Sequence, residues 1–115
     1  GIIADSREDF IEAERYYRES LAIKRQIGHK IGVAQSQINL GIILAKRGDL
    51  DEAECLIQES LSLSREVGRL ETELKSLNNL GAIAKIRGDL EEVARLRLES
   101  LAIKRKIGIT VDEEE

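Results

Sequence analysis

Proline, methionine and tryptophan are absent from this chain, which also has a single cysteine, a single histidine and only three aromatic residues, Phe10, Tyr16 and Tyr17. Each shortage excludes a class of protein. Cys55 alone cannot form an internal disulfide, which fits a reducing compartment and points to the cytoplasm. One His and one Cys leave no set with zinc-ligand spacing, and neither a GxGxxG run nor a phosphate loop occurs, so no catalytic residue, metal or cofactor is expected. No run of about 20 apolar residues exists, so no membrane-spanning helix is expected, and no charged-then-apolar leader marks a signal peptide. A net basic face is missing too. Asp112, Glu113, Glu114 and Glu115 account for the whole formal charge of -4, leaving a neutral body that is not expected to bind nucleic acid. What remains, 42% apolar and 35% charged, is the composition of a soluble helical protein.

The text of the chain repeats at an offset of forty residues without insertion or deletion. Gly1-Ile2-Ile3, Gly41-Ile42-Ile43 and Gly81-Ala82-Ile83 coincide, as do Glu19-Ser20-Leu21, Glu59-Ser60-Leu61 and Glu99-Ser100-Leu101. Gly28, Gly68 and Gly108 close the units. A fixed period of this size marks a solenoid, in which each repeat touches only its neighbours and no single central core exists. The units are 1–40, 41–80 and a truncated 81–109, followed by an acidic tail, 110–115. The chain opens without an initiator Met and in mid-pattern, so the first unit is expected to have lost the front of its first helix, as a piece of a longer array would.

Helix boundaries follow from local grammar. Asp9, Asp49 and Asp89 each stand three residues before a Glu, a variant of the capping box, and each predicts a helix start. Those helices carry acids in the first turn and bases near the end, as the macrodipole favours. Leu50, Ala53, Leu56, Ile57, Leu61 and Val67 recur at helical spacing in the second unit, and Leu90, Val93, Leu96, Leu101 and Ile107 in the third. Between them, Ile31 to about Arg47 and Leu70 to about Arg87 read as first helices, buried through Ile38, Leu40, Ile43 and Leu44, then Leu74, Leu77, Leu80, Ile83 and Ala84. Gly41 and Gly81 fall inside these helices at a cost of about 1 kcal/mol each relative to Ala, which predicts close approach of the paired helix at both. The turns at Arg47-Gly48-Asp49 and Arg87-Gly88-Asp89 leave room only for antiparallel hairpins.

These residues resemble the tetratricopeptide repeat in its forty-residue form with an extended second helix. The resemblance rests on Leu40-Gly41, Gly48-Asp49-Leu50 and Ala53, and on Leu80-Gly81, Gly88-Asp89-Leu90 and Val93, and it spans residues 1–109. The chain departs from the family signature at Gln37 and Leu77, where Trp is usual, at Leu44 and Ala84, where Tyr is usual, and at Ser20, Ser60 and Ser100, where a small residue is usual; the terminal Pro is missing. The resemblance implies an all-α, right-handed α-solenoid of antiparallel helix-turn-helix repeats, two and a half to three in number, acting as a non-catalytic scaffold for a protein or peptide.

A curved array of this kind lines its concave face with first helices. Positions i, i+4, i+7 and i+11 there are Gln35, Asn39, Ile42 and Lys46, then Lys75, Asn79, Ala82 and Ile86, with Lys85 alongside. In relatives an Asn at the position of Asn39 and Asn79 commonly hydrogen-bonds the backbone of an extended peptide, and Lys46, Lys75 and Lys85 favour an acidic ligand. The two-lysine, two-asparagine clamp for chaperone C-termini is not reproduced as a set. His29 reads as a solvated loop residue, Cys55 as an incidental surface thiol, and Asp49-x-Asp51 as capping, since a calcium loop needs a Gly and later acids that are missing.

The ends carry a second expectation. Solenoids generally need three repeats and polar caps, so apolar faces at Phe10, Tyr16 and Tyr17 and at Leu96, Leu98 and Ile103 are expected to lack a neighbour and to promote self-association into a homo-oligomer. A self-associating structural module, or a sensor array of a larger signalling protein, is therefore the alternative to a peptide-binding groove.

Overall fold

The computed structural model describes residues 6–108, which form five helices: α1 (Ser6–Gln26), α2 (Lys30–Arg47), α3 (Leu50–Val67), α4 (Leu70–Arg87) and α5 (Leu90–Ile107). Each helix packs on the next in the chain, and α2 also lies against α4. This is the all-α solenoid of helical hairpins that the period predicts. Expectations for residues 1–5 and for the tail 110–115 lie outside the described residues.

The turns explain why the helices stop where they do. Gly48 and Gly88 sit at φ 96° and 77°, in the left-handed region that side chains with a β-carbon rarely adopt. Their N–H groups bond back to Ala45 and Lys85 carbonyls respectively, 3.0 Å each, closing α2 and α4. The first unit has Glu8 at that slot, and there the expectation fails. Asp9 does not cap a helix; it lies inside α1, which is already helical at Ser6. Of the other two expected caps, the Asp89 carboxylate accepts from Glu92 N–H at 3.2 Å, whereas Asp49 accepts from Arg47 Nε at 2.9 Å and makes no cap bond. His29 has a defined part: as N-cap of α2 its Nδ1 accepts from Gly32 N–H at 2.8 Å.

The core runs as a seam between helices. Leu40, Leu44, Ile57 and Leu77 are its largest apolar members with almost no exposure, each burying enough surface to contribute about 1.5–3 kcal/mol. Gly41 is there for the predicted reason: a β-carbon would stand 2.7 Å from Ile57 Cγ1 and 2.8 Å from Cδ1. Gly81 is not. Nothing lies within 4 Å of the β-carbon it lacks, because the residue matching Ile57 in the third unit is Arg97, whose side chain is exposed. Two more expectations need correcting. Leu96 and Ile103, expected at an unpartnered end, are 3% and 5% exposed and belong to the core cluster with Leu77, Leu80 and Ile83, since they occupy the face of α5 turned to its own hairpin partner.

Polar contacts between units repeat with the same period. Ser60 Oγ and Ser76 Oγ are 2.7 Å apart, and Ser20 and Ser36 make the same pairing at 3.5 Å, so two of the serines that depart from the family signature bridge α3 to α4 and α1 to α2, one hairpin to the next. Arg47 binds Glu14 at 2.6 Å, and Arg87 binds Glu54 at the matching place. Arg25–Glu59 at 3.7 Å and Arg65–Glu99 at 3.0 Å form the second rung. Exposed pairs contribute little singly, but their recurrence holds consecutive hairpins in one register.

Candidate functional site

Because α2 lies against α4, the two first helices expected to bind a ligand are side by side. Gln35, Asn39 and Lys46 of α2 are exposed and Ile42 is half-buried; on α4, Lys75, Ala82, Lys85 and Ile86 are exposed and Asn79 is half-buried. Ile86, 62% exposed, is the large apolar residue of this set most open to solvent. Ala82 and Lys85 also line the groove between α4 and α5, so they sit toward the edge of the face and not at its centre.

The hydrogen-bonding capacity of the two asparagines differs. Asn79 Nδ2 donates to the Lys75 carbonyl at 2.8 Å, which turns the amide along its own helix and leaves Oδ1 and one N–H for a ligand. Lys46, Lys75 and Lys85 take part in no ion pair among the described residues, in contrast to Arg18, Arg47, Arg65, Arg87 and Arg95. The arginines tie the fold together. The lysines leave this face positive.

Charged groups elsewhere report the same division of labour. Burial opposes ionisation of Glu14, but the Arg18 and Arg47 guanidiniums outweigh it and hold the carboxyl below the usual carboxylate range. Glu92 is likewise lowered by Arg95 on its own helix. Neither lies in the concave set. Cys55 is exposed, as expected from Arg15 and Arg95 in the equivalent slots, and among the described residues no group of three or more His, Cys, Asp or Glu is placed to hold a metal.

One residue escaped the sequence reading. Gln37 stands where the family signature has Trp; it is fully buried, donates from Nε2 to Glu59 at 2.6 Å, and leaves Oε1 without a partner among the described residues. With Val33, Leu63 and Arg25 it lines a surface groove of about 440 Å³ between α1 and α3. Its counterpart Leu77 is apolar, so the burial of a polar side chain here had no signal in the repeat.

A family model described as tetratricopeptide repeat matches residues 1–66 and 33–106, two overlapping placements that run from the first residue almost to the tail. The chain belongs to the tetratricopeptide repeat family. A search of curated proteins finds no match. Tetratricopeptide repeats mediate protein–protein interaction and are not in general catalytic. Among the described residues of this repeat protein, no helix is long and apolar enough to cross a membrane.

Proposed function

We propose that the α2/α4 face of this repeat protein binds an extended, acidic segment of a partner protein, with Asn39 and Asn79 contacting the segment's backbone. The observation that carries this reading is the placement of equivalent asparagines on two helices that lie against each other, flanked by the lysines 46, 75 and 85, which have no acidic partner among the described residues. An amide offers both a donor and an acceptor, which is what a peptide backbone requires. Ile86, Ile42 and Ala82 supply apolar contact beside it, and Gln35 a further amide. The experiment is selection of binders from a library of extended peptides, followed by fluorescence titration against the chain and its Asn39→Ala/Asn79→Ala variant. A fall in affinity of about tenfold, the equivalent of roughly one lost hydrogen bond to each amide, is expected with the solution mass unchanged. Unchanged affinity would sink the reading.

A second reading is supported by exposed apolar side chains on the first and last helices. Tyr16 on α1 is 65% exposed and stacks edge-on against Tyr17, with Phe10 half-buried nearby in sequence, while Leu98 on α5 is 68% exposed. End-to-end contact between copies would cover both. Static light scattering that gives the 12.9 kDa chain mass at every concentration rejects it.

A further inference from the structure

The interface between the α2/α3 and α4/α5 hairpins is a template for what the last groove accepts. There, α4 lies antiparallel on α3: Ser76 meets Ser60 at 2.7 Å, and Glu73, in the first turn of α4, accepts from Arg65 near the end of α3 at 2.9 Å. This register puts Leu80, one turn beyond Ser76, at the level of Ile57, and Glu73 at the level of Ser64 and Arg65. The groove is floored by apolar side chains and receives a helix.

The equivalent groove between α4 and α5 is also floored by apolar side chains, Leu77, Val93 and Leu96 in place of Gln37, Ala53 and Leu56, and has a volume of about 420 Å³. Its walls are different. Arg97 replaces Ile57, Lys104 replaces Ser64 and Lys85 replaces Ala45, and among the described residues no acid lines the groove beside these cations. Ser100 does not bridge to a neighbouring hairpin but donates to Asn78 Oδ1 on α4 at 3.1 Å, across its own hairpin. A surface that needed only solubility would be served by either sign of charge. In a chain with more acids than bases, the charged side chains that line this groove among the described residues are all bases.

We propose that the α4/α5 groove docks an acidic amphipathic helix of a partner protein, antiparallel to α5 and in the register that α4 takes on α3. One acid, in the first turn of that helix, meets Lys104 and Arg105; a second, two turns on, meets Arg97. Two turns of helix rise about 10 Å, the same as the separation of residues 97 and 104 along α5. Acids in a first turn are further favoured by the helix dipole, and charge-assisted bonds to a guanidinium are the stronger kind. The surface shares Ala82 and Lys85 with the edge of the concave face, and neither Asn39 nor Asn79 lines it.

The test uses two synthetic peptides, the α4 sequence 70–87 and the same sequence with Leu80→Glu, titrated against the full chain by fluorescence anisotropy. Glu73 already supplies the first acid, and Leu80→Glu places the second opposite Arg97. The substituted peptide is expected to bind about tenfold more tightly, as one charge-assisted contact allows, and to weaken as salt is raised. Arg97→Ile in the full chain, an exposed position whose change leaves the fold intact, is expected to reverse the order of the two peptides. Asn39→Ala/Asn79→Ala is expected to alter neither affinity, which separates this surface from the concave face. Absence of binding by both peptides, or an order that survives Arg97→Ile, overturns the proposal. So does a tenfold rise in affinity when Asp112, Glu113, Glu114 and Glu115 are neutralised, which would make the chain's own acids the occupant.

Discussion

The α2/α3 and α4/α5 hairpins have nearly the same helix grammar and different surroundings. Both run eighteen residues, a two-residue turn that opens on a left-handed glycine, and eighteen more, with Leu-Gly inside the first helix and Gly-Asp-Leu at the turn. Yet Gly41 is pressed against Ile57 and Gly81 against nothing, Ser60 reaches across to the next hairpin and Ser100 stays within its own, and Ile57 is core where Arg97 is solvated. The letters shared by the copies build the hairpin. The letters that differ follow from what lies on the hairpin's outer side.

The sharpest way to test this contrast is the pair Ile57 and Arg97. Ile57→Ala removes a side chain that is 1% exposed and is expected to cost about 2–4 kcal/mol in chemical denaturation, whereas Arg97→Ala should stay within about 0.5 kcal/mol. Equal effects would mean that the third groove is packed like the second. Next in size is the glycine pair. Gly41→Ala forces a methyl into Ile57, with the Ala53 carbonyl 3.4 Å away, and is expected to destabilise by about 1–3 kcal/mol; Gly81→Ala is free of contacts and should raise the melting temperature, gaining up to about 1 kcal/mol of helix propensity. Opposite signs from the same substitution forty residues apart would be the clearest evidence for the packing difference.

Smaller effects are expected at the polar contacts. Ser60→Ala leaves the buried Ser76 hydroxyl with only its bond to the Thr72 carbonyl and should cost about 1–2 kcal/mol, against less than about 1 kcal/mol for Ser100→Ala, whose partner Asn78 is exposed. The smallest is electrostatic. Glu14, paired with Arg18 and Arg47, has a folded carboxyl below the usual range, so its contribution is present above the unfolded carboxylate value and is lost as pH falls through the lower, folded one. The difference in melting temperature between the chain and Glu14→Gln should therefore shrink below about pH 4. Ala94, the third-unit counterpart of Glu14 and Glu54, cannot make this contact, and Ala94→Gln should show no such dependence on pH.

Much of the fold was legible because a repeat states its own boundaries more than once. Four of the five helices begin and end within a residue or two of where Asp-x-x-Glu, Gly and the apolar spacing put them. The exception, α1, is instructive: the turn found at Gly48 and Gly88 is not repeated at Glu8, which lacks the freedom of glycine to take positive φ, and the helix runs through Asp9. The candidate face was legible only as a set of helical positions. That Lys46, Lys75 and Lys85 have no acidic partner among the described residues while the arginines are paired, and that Asn79 spends one N–H on Lys75, depends on which neighbour each side chain meets.

What the sequence determined by itself is local and periodic: four of the helices at both ends, the glycines that close them, and a hairpin repeated at forty residues, because backbone preference and apolar spacing act over a few turns and are written into every copy. Tertiary structure decided the rest. Whether a glycine is a packing device or an idle position, whether a leucine such as Leu96 is core or surface, and which cations are left without a partner all turn on contacts between residues far apart in the chain. A period cannot encode those contacts, since each unit meets a different neighbour.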